Sequence, residues 1–207
     1  MTPPVTELRT PRLLLRRWQP GDRAPFAALN ADPLVMRHFP ATLSRAESDA
    51  LVDRIEDGFV RDGFGLWAVE VVDGPPLIGF VGLALADFEA PVRGRWEIGW
   101  RLAADQWGRG YATEGATAAL EAAFGPLGLD EVVSFTVPAN AASLAVMRRI
   151  GLRRRPELDF DHPRLPLDSP LRRHVVHGAR AGEWAPPRPA GEGEVRTSQP
   201  VSRTPSR

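Results

Sequence analysis

The chain has 207 residues, 43% hydrophobic and 25% charged, which is enough to bury a core without staples. It contains no cysteine, and all 26 cationic Lys/Arg positions are arginine, so disulfides, thiolate metal sites, an acyl-cysteine intermediate, Schiff-base chemistry and a P-loop lysine are all excluded. A formal net charge of zero argues against a bulk electrostatic match to nucleic acid.

Taken in chain order, Arg12 to Trp18 reads as a first strand, and Asp22 is placed to cap a helix running to about Leu29, stopped by Asn30-Ala31-Asp32-Pro33. Ser44 and Glu47 have capping-box spacing before a helix with apolar positions Leu51, Ile55 and Phe59, which Gly63 and Gly65 end. Leu66 to Val72 and Leu77 to Ala86 read as strands around the turn Asp73-Gly74-Pro75-Pro76. Trp96 to Leu102 is a further strand, with Glu97 near its start.

A glycine-bearing loop follows, then an alanine-rich helix from about Tyr111 to Phe124 and a strand from Val132 to Val137. Asn140 caps a helix to Ile150, ended by Gly151. Leu152 to Phe160 and Arg172 to Ala179 read as two more strands. The order predicts an α/β or α+β chain, antiparallel early and strand-helix-strand-helix later. Ala185 to Arg207 holds five prolines and two valines and is expected to be a disordered tail, so the domain is expected over residues 1–184. No run approaches about 18 apolar residues, and Arg9, Arg12, Arg16 and Arg17 precede any sustained apolar stretch, so a membrane span and a secretory leader are not expected and a cytoplasmic location is.

The most informative segment is Trp107-Gly108-Arg109-Gly110-Tyr111-Ala112-Thr113-Glu114, between a strand and a helix. Glycines there permit close backbone approach, and the helix start presents free N–H groups and the positive dipole end, which together suit a pyrophosphate. Thr113 stands where a dinucleotide fingerprint needs its third glycine, and the absence of lysine rules out a P-loop.

This segment resembles the pyrophosphate loop of the GNAT N-acetyltransferases, Gln/Arg-x-x-Gly-x-Gly/Ala, with Trp107 in place of the first polar residue. The likeness extends to the Rim-type branch, related to ribosomal-protein N-terminal acetylases, through Thr10-Pro11-Arg12-Leu13-Leu14-Leu15-Arg16, Gly79-Phe80-Val81-Gly82-Leu83, Glu97-Ile98-Gly99-Trp100, Asn140-Ala141-Ala142-Ser143 and Val146-Met147-Arg148-Arg149-Ile150-Gly151-Leu152. It covers roughly residues 8 to 184. The resemblance implies a central, mostly antiparallel sheet of six or seven strands with flanking helices and a splayed strand pair. It implies acetyl-CoA as co-substrate, held by Trp107, Gly108, Arg109, Gly110, Tyr111, Ala112 and Thr113, with the backbone of Trp100 to Leu102 beside the acyl arm and Asn140 and Ser143 at the cofactor. No metal and no nucleic acid are implied. The acceptor is a primary amine, on a small molecule or a protein N-terminus, and a homodimer is left open.

For the chemistry, Glu97 is the first candidate base, because it is the sole carboxylate in its strand and has apolar neighbours that would raise its pKa. An exposed edge glutamate, or a buried partner for an arginine, is the plainer alternative, with a water chain or neighbouring carbonyls left to deprotonate the amine. The family's usual tyrosine acid is missing, since the sole tyrosine, Tyr111, lies in the loop. Ser143 is the remaining candidate to steady the thiolate, while Asn140 and Ser143 also fit ordinary helix-start roles. Glu114 reads as a structural partner at the helix start. His162 is placed as a candidate for the acceptor mouth. His174 and His177 are three apart in a strand, so they face opposite sides and do not share an ion.

Overall fold

A computed structural model describes residues 4–186. Its strands are β1 (Leu8–Arg9), β2 (Leu13–Arg16), β3 (Leu66–Val71), β4 (Gly79–Leu85), β5 (Trp96–Leu102), β6 (Glu131–Thr136), β7 (Arg153–Arg154), β8 (Phe160–Asp161) and β9 (Arg173–Arg180). The helices are α1 (Arg23–Ala31), α2 (Pro33–Met36), α3 (Arg45–Asp62), α4 (Tyr111–Phe124) and α5 (Ala141–Arg149). Six strands have four or more residues, and the other three are two-residue pairings at the margins. The sheet runs β1-β2-β3-β4-β5-β6-β9-β7, with β8 beside β9. All pairings are antiparallel except β5 with β6.

Local signals account for most boundaries. Ser44 accepts from the Glu47 N–H while the Glu47 carboxylate takes the Ser44 N–H, and α3 ends at Gly63 in the left-handed region. Asn140 accepts from the Ser143 N–H at the start of α5. β5 and α4 occupy the spans read from the sequence.

Three local expectations fail, each for a tertiary reason. The first strand stops at Arg16, because the Trp18 N–H turns to the Glu56 carboxylate and Pro20–Asp22 forms a 3-10 turn. Asp22 does not cap α1 with its side chain. Its carboxylate takes two guanidinium bonds from buried Arg16, at 2.8 and 3.1 Å, and the Gln19 N–H. The single strand expected over Leu152 to Phe160 is broken into β7, a 3-10 turn at Pro156–Leu158, and β8, since Pro156 has no N–H to continue a ladder.

Alternation sorts the sheet's two faces. On one, Leu13, Val81, Ile98 and Leu102 meet α4, and a Cβ placed on Gly115 would contact Val81 and Leu13. On the other, Phe80 packs on Phe26 of α1, and Ala86, Val92, Val133, Leu158, Phe160 and Val176 form a second cluster.

The expected tail from 185 lies outside the described residues beyond Pro186. Just before it, Trp184 donates its indole N–H to the Ile150 carbonyl at 2.8 Å and packs on Phe124. Replacing Trp184 by Ala removes this half-buried clasp and is expected to lower stability by about 2 kcal/mol, read by urea denaturation.

Candidate active site at the strand splay

The site begins where β5 and β6 part. Their parallel ladder holds at Trp96↔Val132 and Glu97↔Val133 and goes no further, although the strands run on to Leu102 and Thr136. A wedge therefore opens beyond Glu97, edged by β5 backbone that has no strand partner on that side.

At the end of β5 the chain makes a 3-10 turn, Ala104–Gln106, and enters the glycine loop. Gly108 and Gly110 have φ of 76° and 83°, a region costly for side chains. Among the described residues, no backbone N–H from Gly108 to Thr113 donates to a protein acceptor, and the first helical bond of α4 comes from Glu114 to Gly110. A Cβ on Gly108 would meet nothing within 4 Å. The result is a run of convergent donors at a helix N-terminus with open space before them, a form that fits a pyrophosphate.

Other parts of the chain hold the loop in place. Trp107, standing where the family motif has a polar residue, donates its indole N–H to the Leu102 carbonyl at 2.8 Å, and Arg37 lies over its ring. Glu114 accepts from the Thr10 hydroxyl at 2.6 Å and from the Arg12 N–H and guanidinium at 3.0 and 2.6 Å. Arg12 also reaches the Arg109 carbonyl at 2.9 Å and stacks on Tyr111. Glu114 thus ties the helix start to the N-terminal strand region and makes no approach to the wedge. Leu102 is buried and Trp100 half-buried on the α4 side, so towards the wedge they offer backbone.

Glu97 sits at the fork itself. It pairs in register with Ala84 and Val133 and faces away from α4. Among the described residues it has no hydrogen bond and no arginine partner, so the ion-pair alternative does not hold. Part of its side chain still reaches solvent, yet protein crowds the carboxyl, and burial pushes its pKa up to about 8. On the opposite face, Asn140 bonds Thr136 at the end of β6 and caps the Ser143 N–H. The structure therefore sets Glu97 and the Asn140–Ser143 turn on the two sides of the sheet where the strands diverge, with no hydrogen bond between them.

The histidines separate as strand alternation requires. His177 is buried on the α4 side, with an unpartnered Nδ1. His174 lies on the Glu97 face, stacked on Phe160, and meets His162, which stacks on Phe88. Burial holds all three pKa values below the usual histidine value. Among the described residues, no group of three or more His, Cys, Asp or Glu converges for a metal, and no helix is long and apolar enough to cross a membrane.

Two functional candidates escaped the sequence reading. Arg101 shares the Glu97 face of β5, and Asn30, read as a helix stop, is fully buried inside α1 and binds it. Alternation Glu97-Gly99-Arg101 was the available signal for the first. Nothing local marked the second.

Comparison with known proteins places the chain in a family. The profile of the acetyltransferase (GNAT) domain matches residues 12–153. The chain belongs to the GNAT acetyltransferase family. It is 30% identical over 151 residues to the protein YkkB of Bacillus subtilis (strain 168), covering 71% of this chain and 85% of YkkB. It is also 40% identical over 93 residues to the FsC-acetyl coenzyme A-N(2)-transacetylase of Aspergillus fumigatus, covering 44% of this chain and 39% of that enzyme. Among solved structures, an acetyltransferase from Agrobacterium tumefaciens superposes with a TM-score of 0.69 at 26% identity, covering 85% of this chain and 95% of that one. Mycobacterium smegmatis RimJ, solved with CoA-disulfide, shares the fold at a TM-score of 0.64 and 19% identity, covering 87% of this chain and 88% of that one. GNAT enzymes use acetyl-CoA and transfer its acetyl group to an acceptor, and this protein is an N-acetyltransferase of that family.

Proposed function

We propose that this acetyltransferase moves the acetyl group directly to a primary amine while both substrates are bound. The observation that carries this reading is the run of unbonded N–H groups from Gly108 to Thr113 in line with a strand wedge at whose fork an unpaired Glu97 sits. In this reading the loop backbone holds the pyrophosphate, the free β5 backbone from Trp100 to Leu102 aligns the acyl arm, and Asn140 and Ser143 lie at its far side. Glu97 takes the proton from the amine, the new N–C bond forms as the C–S bond breaks, and the Ser143 hydroxyl hydrogen-bonds the departing thiolate. With no cysteine in the chain, no acyl-thiol relay competes. The Aspergillus relative, by name an N(2)-transacetylase, supports a nitrogen acceptor.

Release of free CoA thiol with a panel of primary amines tests the proposal. Binding of acetyl-CoA with no thiol release from any amine would instead make the chain a CoA-binding module. Ser143→Ala is expected to lower turnover less than ~10-fold while leaving acetyl-CoA affinity nearly intact, because a hydroxyl is a weak acid that only steadies the leaving sulfur. Steady-state kinetics and calorimetric titration separate the two effects.

A further inference from the structure

The Glu97 face of β5 carries a second charged group whose surroundings are those of a receptor. Arg101 is largely buried, and burial pushes its pKa down to about 10, so it stays a cation at physiological pH. Its ring neighbours are Phe39, 4.2 Å from the guanidinium carbon, and Phe80 at 5.5 Å. Nη1 donates to the Asn30 side-chain oxygen at 2.6 Å, and the Asn30 amide in turn donates to Ser48 at 2.9 Å. Asn30 and Ser48 are both fully buried, so residues from α1 and α3 are committed to orienting one guanidinium.

Among the described residues no carboxylate lies within ion-pair distance of Arg101, in a chain where Arg16 and Arg155 each hold two. Its Nε is buried without a partner. A cation withdrawn this far from water normally has a carboxylate partner, because lost hydration penalises the charged form. The two rings and one amide oxygen offset only part of that. Arg101 also faces away from α4 and the phosphate loop, so the unmet charge does not belong to the pyrophosphate. It lies four residues along the strand from Glu97, about 13 Å between Cα atoms, with both side chains on one face. Phe39, whose ring covers the guanidinium, is itself 39% exposed, so a single surface side chain stands between this cation and solvent.

We propose that Arg101 receives a carboxylate of the acceptor, so that the substrate class is a small amino-carboxylate compound whose amine lies at Glu97 and whose acid group lies in the fork of Arg101. This rests on the acetyl-transfer reading above and narrows it. Planar, two-pronged donation suits a carboxylate better than a point charge would, and Asn30 presets the fork. A small compound fits because the cation sits beneath Phe39 with little surface exposed.

The test uses glycine, β-alanine, γ-aminobutyrate, ε-aminocaproate and L-alanine, each beside its carboxamide, with free-thiol release as readout. The acids are expected to exceed their amides by ~10-fold or more in kcat/KM, mostly through KM. Arg101→Gln should erase that preference by weakening the acids alone, with acetyl-CoA affinity unchanged, and Arg101→Lys should restore only part of it. Equal rates for acids and amides in the unaltered protein, a requirement for no variant, would overturn the carboxylate site and leave acetyl transfer standing. A loss of acetyl-CoA affinity in a folded Arg101→Gln protein would also overturn it, as would faster turnover of an N-terminal peptide with an acidic second residue than of any small acid. Calorimetry of the CoA-loaded protein with the N-acetylated acids reads the site without turnover. Binding weakened ~10-fold by Arg101→Gln, with no thiol release, would sustain the site while sinking acetyl transfer, and no binding of any acid would sink the site.

Discussion

Replacing Glu97 by Gln lowers turnover by ~10²-fold or more, the scale of a lost general base, because the amide keeps the shape and cannot accept the proton. The unaltered enzyme should gain activity as pH rises through about 8, where burial places the Glu97 titration, and the variant should lose this limb. Full activity of Glu97→Gln across pH with a good acceptor would transfer the role to water. The same group makes a second, independent prediction about stability. A folded-state pKa raised from 4.5 to about 8 means that the native state holds a proton the unfolded chain has released, so stability falls as pH rises through that window. The Gln variant escapes the fall. Denaturation at about pH 5 and about pH 9 should show the two proteins diverging at the higher value, with the variant the more stable.

Gly110→Val weakens CoA binding by more than ~10-fold, about 1.4 kcal/mol. Gly110 caps α4 at φ 83°, which a β-branched residue adopts only with strain, and even one added carbon would lie 3.4 Å from the Arg12 guanidinium that braces the loop. Both effects act on the donors that run from Gly108 to Thr113. Calorimetric titration with CoA measures the loss, and circular dichroism with thermal melting verifies that the variant is folded. Unchanged affinity in a folded protein would remove the loop from the cofactor site.

The elements that the sequence located well are those whose ends are written locally. The Ser44–Glu47 box, Gly63 with its positive φ and the Asn140 cap each satisfy helix-end groups within a few residues. β5 and α4 follow from an apolar run and an alanine-rich segment separated by the glycines. The failures arise where a distant partner competes with the local one. Asp22 has the right spacing to cap α1, but a buried Arg16 claims its carboxylate. Asn30 does lie in the segment that ends α1, but its side chain is taken by Ser48 and Arg101, a role that nothing in its neighbours announces.

The sequence by itself determined the family resemblance, the glycine loop and its placement at a helix start, because phosphate binding there depends on backbone geometry that glycine spacing announces. It also singled out Glu97, since a lone carboxylate in an apolar strand is visible in one dimension. Only the tertiary structure decided that the β5–β6 ladder ends at Glu97, that no arginine among the described residues neutralises it, and that Glu114 serves Thr10 and Arg12. The same holds for the charge on Arg101, which no carboxylate among the described residues compensates and which is a property of everything packed around it. Burial and pairing are sums over residues from α1, α3, β4 and the turn at Phe39 that lie far apart in the chain, and no local pattern in β5 encodes them.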